Sequence, residues 1–454
     1  MAKFTVSEVC LAVQGSLIGG FADITFAGVS TDTRTLKAGD LFIALSGERF
    51  DGHEFLHQAA AKGAAGVLIS RRDIAIPLGL TVILTDDTRK ALRDLARFHR
   101  LRFDIPVIAI TGSNGKTTTK DMTAAVLSSR FKVLKTEANF NNEIGLPLTL
   151  LNLMADHQVA VVEMGMRGKG EIRELAEIAL PNVGVVTNVG ETHIELLGSL
   201  ENIASAKAEL VEAVKDGLVV LNADNPYVYA MQSKSKAAVT LYGLTHQADV
   251  RAEDIRSDGE QTFFDCHYRG QAFAVVLPAI GRHNVYNALA AIAIGLALGL
   301  TPEEIAAGLK KFVPSGMRQH IEKKAGYTII NDAYNASPLS MQSAIETLAE
   351  IAGGRKIAVL GDMLELGQVA KEAHRRVGKQ LAEIGVDTVI TVGTLARDIA
   401  VTAKACGVAC AIACDTHEEA KDALRQVMQV GDTILVKGSR GMKMEKVLDV
   451  FDAL

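Results

Sequence analysis

Short runs of apolar residues, separated by stretches of helical periodicity, recur along most of the chain. Pro106–Ile110, Val159–Glu163, Val183–Asn188 and Leu218–Leu221 are apolar-rich and bounded by Gly, Pro or polar residues. Runs of that length without alternation predict strands buried on both faces of a parallel sheet. Between and after them, Thr117–Ser129, a stretch beginning near Leu200, and Asn284–Leu298 read as helices. The same rhythm returns further on, with strands expected at Tyr327–Asn331, Lys356–Leu360, Thr388–Val392 and Thr433–Val436. Ahead of it all, a helical stretch at Thr5–Gln14 precedes short strands at Gly28–Thr31, Asp40–Leu45, Gly66–Ile69 and Thr81–Leu84. Phe55–Lys62 and Asp86–Arg100 read as helices. Residues 238–279 differ, because Thr262–Tyr268 and Ala272–Leu277 alternate polar with apolar positions. Alternation predicts antiparallel hairpins appended to the parallel sheet.

The fold class is therefore α/β, and 454 residues make about three domains of ordinary size. The changes of pattern place them at 1–85, a small α/β domain; 86–314, with a mostly parallel sheet; and 315–454, a Rossmann-like α/β domain. Composition adds exclusions. With 48% hydrophobic residues the chain is globular, and 48 Lys+Arg against 53 Asp+Glu give −5. That balance argues against a broad nucleic-acid or membrane-surface face. The longest apolar helix, Ala288–Leu300, is too short to span a bilayer, and Met1–Gly15 has no signal-peptide pattern. A cytoplasmic location and a monomer are the expectations. Five cysteines form no disulfide framework. Cys406, Cys410 and Cys414, with His417 nearby, lack zinc-ligand spacing and read as small core residues on a strand.

The candidate chemistry begins at Ile110-Thr111-Gly112-Ser113-Asn114-Gly115-Lys116-Thr117-Thr118. A buried strand feeds a glycine-rich turn that opens a helix, so backbone N–H groups can converge on phosphate oxygens. Lys116 can reach β- and γ-phosphates, and the Thr117 hydroxyl can ligate Mg²⁺. The loop is a variant, because Ile110 stands where the first glycine of the usual pattern falls. Glu163 ends the next apolar strand, where a carboxylate can hold Mg²⁺. Gly165, Gly168 and Gly170 are not in dinucleotide-binding order. His193 lies just past the strand Val183–Asn188, at the sheet edge where open α/β folds bind ligands, and is a candidate second metal ligand. Lys207, read alone, is a solvated helix lysine. Asn284 belongs to a helix cap, Asp332 is a candidate for a ribose hydroxyl or a phosphate, and Arg318 for a γ-phosphate.

Together these residues resemble the Mur ligases, ATP-dependent amide-forming enzymes of peptidoglycan precursor synthesis. The resemblance covers the whole chain. Within the family, Asn139–Pro147, Asp332–Met341 and Gly361–Gly367 resemble the branch that adds D-alanyl-D-alanine to a UDP-N-acetylmuramoyl tripeptide. Another amino-acid-adding Mur ligase and a folylpolyglutamate-synthase-like ligase are the alternatives; a non-catalytic P-loop switch would favour an Asn-Lys-x-Asp motif, which is absent. The resemblance implies ATP, two Mg²⁺ ions, and an acyl phosphate made on the tripeptide carboxylate. It implies that Ser30, Asp32, Thr33, Arg34, Arg49 and Asn335 bind substrate. It assigns Gly112, Ser113, Asn114, Gly115, Lys116, Thr117, Thr118, Asn284, Arg318 and Asp332 to ATP, and Thr117, Glu163 and His193 to metal. Lys116, His193, Lys207 and Arg318 are the implied catalytic residues, with Lys207 at a position often carbamylated. Because these groups lie in different domains, an open ligand-free form is expected, closing at a hinge near Gly316 and Arg318.

Overall fold

Three sheets carry the architecture of the computed structural model, which describes residues 3–47, 50–314 and 316–452. Arg49, one of the expected substrate-binding residues, lies outside the described residues. In the first sheet the strands run in the order 16–19, 81–84, 66–69, 41–43, 29–30, and all pairs are parallel except that of 16–19 with 81–84. The middle sheet has nine strands, ordered 133–135, 159–163, 107–111, 183–186, 218–222, 238–243, 250–257, 262–268 and 271–277. The third has six, ordered 320–324, 327–332, 433–437, 356–361, 388–392 and 410–414. Most of the expected strands and helices are present within a residue or two of their sequence-read limits.

The parallel strands are buried on both faces, as their unbroken apolar runs require. Ile108, Ile110, Val161 and Val185 point into one core, while Val107, Ala109, Val162 and Val219 point into the other. The third sheet repeats this: Leu360, Val389 and Leu435 on one face, Val359, Ile390 and Ile434 on the other.

Three sequence readings need correction. Ala238–Gly243 is a parallel strand paired with 218–222 and with the start of 250–257, so antiparallel pairing begins only between 250–257 and 262–268. Its exposure falls steadily from Ala238 to the buried Tyr242 and Gly243, as in a strand near the end of the parallel set. The first and middle domains each have a cluster of their own and also share a third. Helix Thr88–Arg100 packs Leu92 and Leu95 against Phe4 and Val9 on one side, and joins Val107, Leu146 and Ile172 in one continuous cluster. Of the three clustered cysteines only Cys414 is buried; Cys406 is exposed at the end of a helix and Cys410 is half-buried on the edge strand. Lys207 is not solvated but buried, at 2% exposure.

The third domain is docked on the middle one, not swung open. Ser337 Oγ donates to Asn114 Oδ1 at 3.0 Å, Arg376 Nη2 meets Glu191 Oε2 at 2.5 Å, and Lys323 Nζ meets Glu260 Oε1 at 2.9 Å. Among the described residues no helix is long and apolar enough to cross a membrane.

Candidate active site

The carboxyl ends of the middle and third sheets line one cleft of about 1350 Å³. On the middle side, strand 107–111 delivers the chain into the phosphate loop, and helix Lys116–Leu127 starts directly behind it. Two glycines are required by close approach. Gly112 has φ 152, and a Cβ there would lie 1.8 Å from Thr187 Oγ1; Gly115 has φ 81, and a Cβ would lie 2.5 Å from Asn287 Oδ1. The loop is clasped by the segment after strand 183–186. Asn114 N donates to Asn188 Oδ1 at 2.8 Å, Thr187 Oγ1 donates to Asn114 O at 2.6 Å, and Ser113 N donates to Asn188 O at 2.9 Å. Such a clasp preorganises the loop for a ligand rather than leaving it to fold around one.

Lys116 Nζ is folded back onto Gly112 O at 2.7 Å. Burial lowers it below the ordinary lysine range, against the pull of Glu163. Thr117 is buried at the first turn of the helix, and Thr118 also lines the cleft. Glu163 sits opposite Ile110 in the parallel register, so the ladder itself puts the carboxylate beside the loop. Its Oε1 accepts from Asn141 Nδ2 at 2.7 Å, whereas Oε2 is buried with no hydrogen-bond partner among the described residues. An unpaired buried carboxylate oxygen is costly unless a cation takes it. Among the described residues no three acidic, histidine or cysteine side chains gather into a complete metal cage. That suits Mg²⁺, which is held by one or two protein oxygens together with phosphates and waters. Thr117 and Glu163 thus fit the ion.

His193 lines the same cleft, and its Nδ1 meets Glu365 Oε2 of the third domain at 2.5 Å. Burial holds its pKa below the ordinary imidazole value, while Glu365 acts in the opposite direction. Lys207, on helix Leu200–Ala213, lies behind the cleft wall. Burial lowers its pKa well below the usual lysine value, and the Lys116 charge adds to the shift. An amine so placed is poised to lose its proton.

From the third domain come Arg318, whose guanidinium stacks 3.8 Å from the centre of the Tyr334 ring, and Asp332. Both Asp332 oxygens are engaged: Oδ2 with Lys437 Nζ at 2.5 Å, and Oδ1 with the Gln319 N–H at 3.1 Å. Lys437 also donates to Asn335 O at 2.9 Å. The cleft thus carries a buried ion pair that the reading of Asp332 alone did not include. Asn335 lines the cleft, with Oδ1 taken by the Ala336 N–H at 2.9 Å. Asn284 lies at the start of helix Arg282–Ala297, accepts from Asn287 Nδ2 and donates to Ile280 O.

The remaining expected residues are elsewhere. Ser30, Asp32, Thr33 and Arg34 form a turn in the first domain, where Arg34 pairs with Asp32 and Thr33 donates to Gln58. None of them lines the cleft. Sequence reading missed Thr187, Asn188, Asn141 and Lys437. Three of these sit at or just past the carboxyl end of an apolar strand, which was the available signal; Asn141 lies in a loop and had none beyond its stretch.

Comparison with known proteins agrees with this geometry. Three family models match in succession: the Mur ligase family catalytic domain over residues 25–100, the Mur ligase middle domain over 110–295, and the Mur ligase glutamate ligase domain over 317–440. The UDP-N-acetylmuramoyl-tripeptide–D-alanyl-D-alanine ligase of Bacillus subtilis (strain 168) is 43% identical over 99% of this chain and 98% of its own length. The enzyme of that name from Escherichia coli (strain K12) is 38% identical over 99% and 98%. The crystal structure of MurF from Acinetobacter baumannii superposes with a TM-score of 0.92 at 31% identity, covering 100% of this chain and 99% of that one. MurF from Thermotoga maritima, solved in complex with ADP, gives 0.84 at 29% identity over 94% and 97%. With a phosphate loop, a docked third domain and full-length relatives in agreement, the chain belongs to the Mur ligase family.

Proposed function

We infer that this protein is the ATP-dependent ligase that joins D-alanyl-D-alanine to a UDP-N-acetylmuramoyl tripeptide in peptidoglycan precursor synthesis. The observation that carries the choice of substrates is the 43% identity, over 99% of the chain, to a relative named for that reaction. The geometry supports the chemistry. A carboxylate is a poor electrophile, so the tripeptide's terminal carboxylate oxygen first forms a bond to the γ-phosphorus of ATP, and ADP leaves. The amine of D-alanyl-D-alanine then forms the C–N bond, the acyl C–O bond breaks, inorganic phosphate departs and the amine gives up a proton.

Two anions must meet in the first step, and the residues here supply the screening. The loop N–H groups and the start of helix Lys116–Leu127 cradle phosphate oxygens, with Lys116 as the mobile cation. Arg318, held flat on Tyr334, brings a second cation from the third domain. Thr117 and Glu163 would hold one Mg²⁺ and His193 a second, supplying charge neutralisation of the phosphates. Lys207 is assigned as a carbamylation site: burial favours the neutral form of its amine, which would add to CO₂, release a proton and become a carboxylate able to support the second ion. Residues 1–85, with the turn Ser30–Arg34, are assigned to the UDP end and 86–314 to ATP, with 315–454 as the Rossmann-like ligase domain. The enzyme is placed in the cytoplasm, acting as a monomer.

The test is product formation with ATP, Mg²⁺, UDP-N-acetylmuramoyl tripeptide and D-alanyl-D-alanine. In parallel, UDP-N-acetylmuramoyl dipeptide is offered with diaminopimelate or lysine. Amide formation only in the first mixture is expected; turnover in the second alone would reassign the chain within the family.

A further inference from the structure

Two non-glycine residues with left-handed backbones meet across the interface between the middle and third domains. His193 has φ 56 and Glu365 has φ 61. That region is disfavoured for any residue with a Cβ, and such strain persists only where the surroundings over-determine it. The surroundings do so here. The segment carrying Glu365 is pinned from within its own domain, where Met363 N donates to buried His374 Nε2 at 3.0 Å and Leu364 N to Ser439 Oγ at 2.9 Å. It is pinned from across the interface by Glu195 N, which donates to Glu365 O at 3.3 Å. The outcome of both strains is one contact, Glu365 Oε2 on His193 Nδ1 at 2.5 Å.

A carboxylate only accepts, so this contact requires the proton on Nδ1 and leaves the Nε2 lone pair for a ligand. Imidazoles that bind ions through one nitrogen are commonly fixed by an acceptor on the other. We propose that Glu365 is a positioning residue for His193: docking of the third domain delivers its carboxylate to Nδ1 and sets the imidazole tautomer, so the His193 part of the site is complete only when the domains are docked. The proposal rests on the reading that His193 serves the ligase reaction.

The test uses the full chain with ¹⁵N-labelled histidine, the His193 signal being identified by its loss in His193→Gln. Two variants are compared with the wild type. Glu365→Gly removes the carboxylate and suits a left-handed backbone, so it should melt no lower than the wild type. Glu365→Gln keeps an oxygen that can accept from Nδ1. The wild type and Glu365→Gln should show the Nδ1–H tautomer. Glu365→Gly should lose it, with kcat lower by at least tenfold and the KM for ATP within about twofold; Glu365→Gln should recover most of kcat. A Glu365→Gly protein that keeps the wild-type tautomer overturns the proposal, as does one whose melting temperature falls along with its activity, which would mark a structural role. A changed tautomer with unchanged kcat removes the pair from the reaction and also overturns it, while the ligase reading, tested separately through Lys116, would stand.

Discussion

Lys116 and His99 show how differently burial acts on single residues. Lys116 is sequestered beside phosphate-binding glycines and Glu163, and among the described residues its side chain bonds only Gly112 O and, longer, Ser113 O of its own loop. Among the described residues no hydrogen-bond partner outside the loop depends on it, so Lys116→Ala should leave the fold intact. Loss of a preorganised charge at a transferring phosphoryl group should lower kcat/KM by about 100-fold or more. Near-normal ligation by a folded variant would remove the phosphate-loop assignment. His99 serves the fold instead. It lies between Phe4 and Phe103, with ring centroids at 5.3 and 4.9 Å, bonds Leu153 O through Nε2, and leaves Nδ1 buried with no partner among the described residues. Burial lowers its pKa to about 4, against the pull of the Leu153 carbonyl. The unfolded value is about 6.5, so the unfolded chain binds more protons between these limits. Stability from neutral His99 is therefore full above about pH 6.5 and lost as the pH falls towards 4. His99→Gln, whose amide can still donate to Leu153 O, should show a smaller drop in melting temperature between pH 7 and pH 5 than the wild type; equal drops would assign the acid sensitivity elsewhere.

Whole elements were legible where burial demanded a long apolar run or a regular alternation, and illegible where it demanded neither. Val159–Glu163, Thr388–Val392 and Thr262–Tyr268 have the limits read from the sequence. The strands Ser16–Gly19, Val133–Lys135 and His320–Lys324 escaped because each sits at a sheet edge, exposed or half-buried, and needs no apolar run. Charged edges such as His320–Lys324 also discourage pairing with other chains. The site follows the same logic: residues on the phosphate loop were visible by type and spacing, but the clasp from Thr187 and Asn188 depends on which strands are neighbours. Helix Leu200–Ala213 is the instructive failure. Its sequence places Lys207 among ordinary helix residues, and only packing reveals that Ala206, Lys207, Ala208 and Glu209 are all buried. Burial there gives the carbamylation assignment its test. Lys207→Ala should lower activity by about 10- to 100-fold, as for groups that support a metal from behind its ligands. Added acetate or a similar short acid, filling the space of the missing carboxylate, should restore part of it. Wild-type activity in the alanine variant would remove the role.

At the scale of the whole molecule, the strength of the domain contact decides how the enzyme opens. Among the described residues the docked arrangement rests on few polar links: Ser337 with Asn114, His193 with Glu365, Glu195 N–H with Glu365 O, Arg376 with Glu191, and Lys323 with Glu260. The last pair is 73% and 71% exposed, and Arg376 is also well exposed, so these contacts gain little and are weakened by salt. Gly316 in the connection has φ 64 with open space around it, a backbone free to absorb rotation. Docked and open forms of the ligand-free chain should therefore be close in free energy, with salt favouring the open one. Small-angle scattering of the ligand-free protein should show the radius of gyration rising between about 50 mM and 500 mM salt, as the Debye length shrinks to a few ångström. An ATP analogue with the UDP-tripeptide should hold the smaller value at both concentrations, because the bound phosphates add attraction between the loop and Arg318 that is shielded from solvent inside the cleft. A radius that ignores both salt and ligands, with binding verified, would mean that the two domains form one rigid body and that substrates enter without rotation at Gly316.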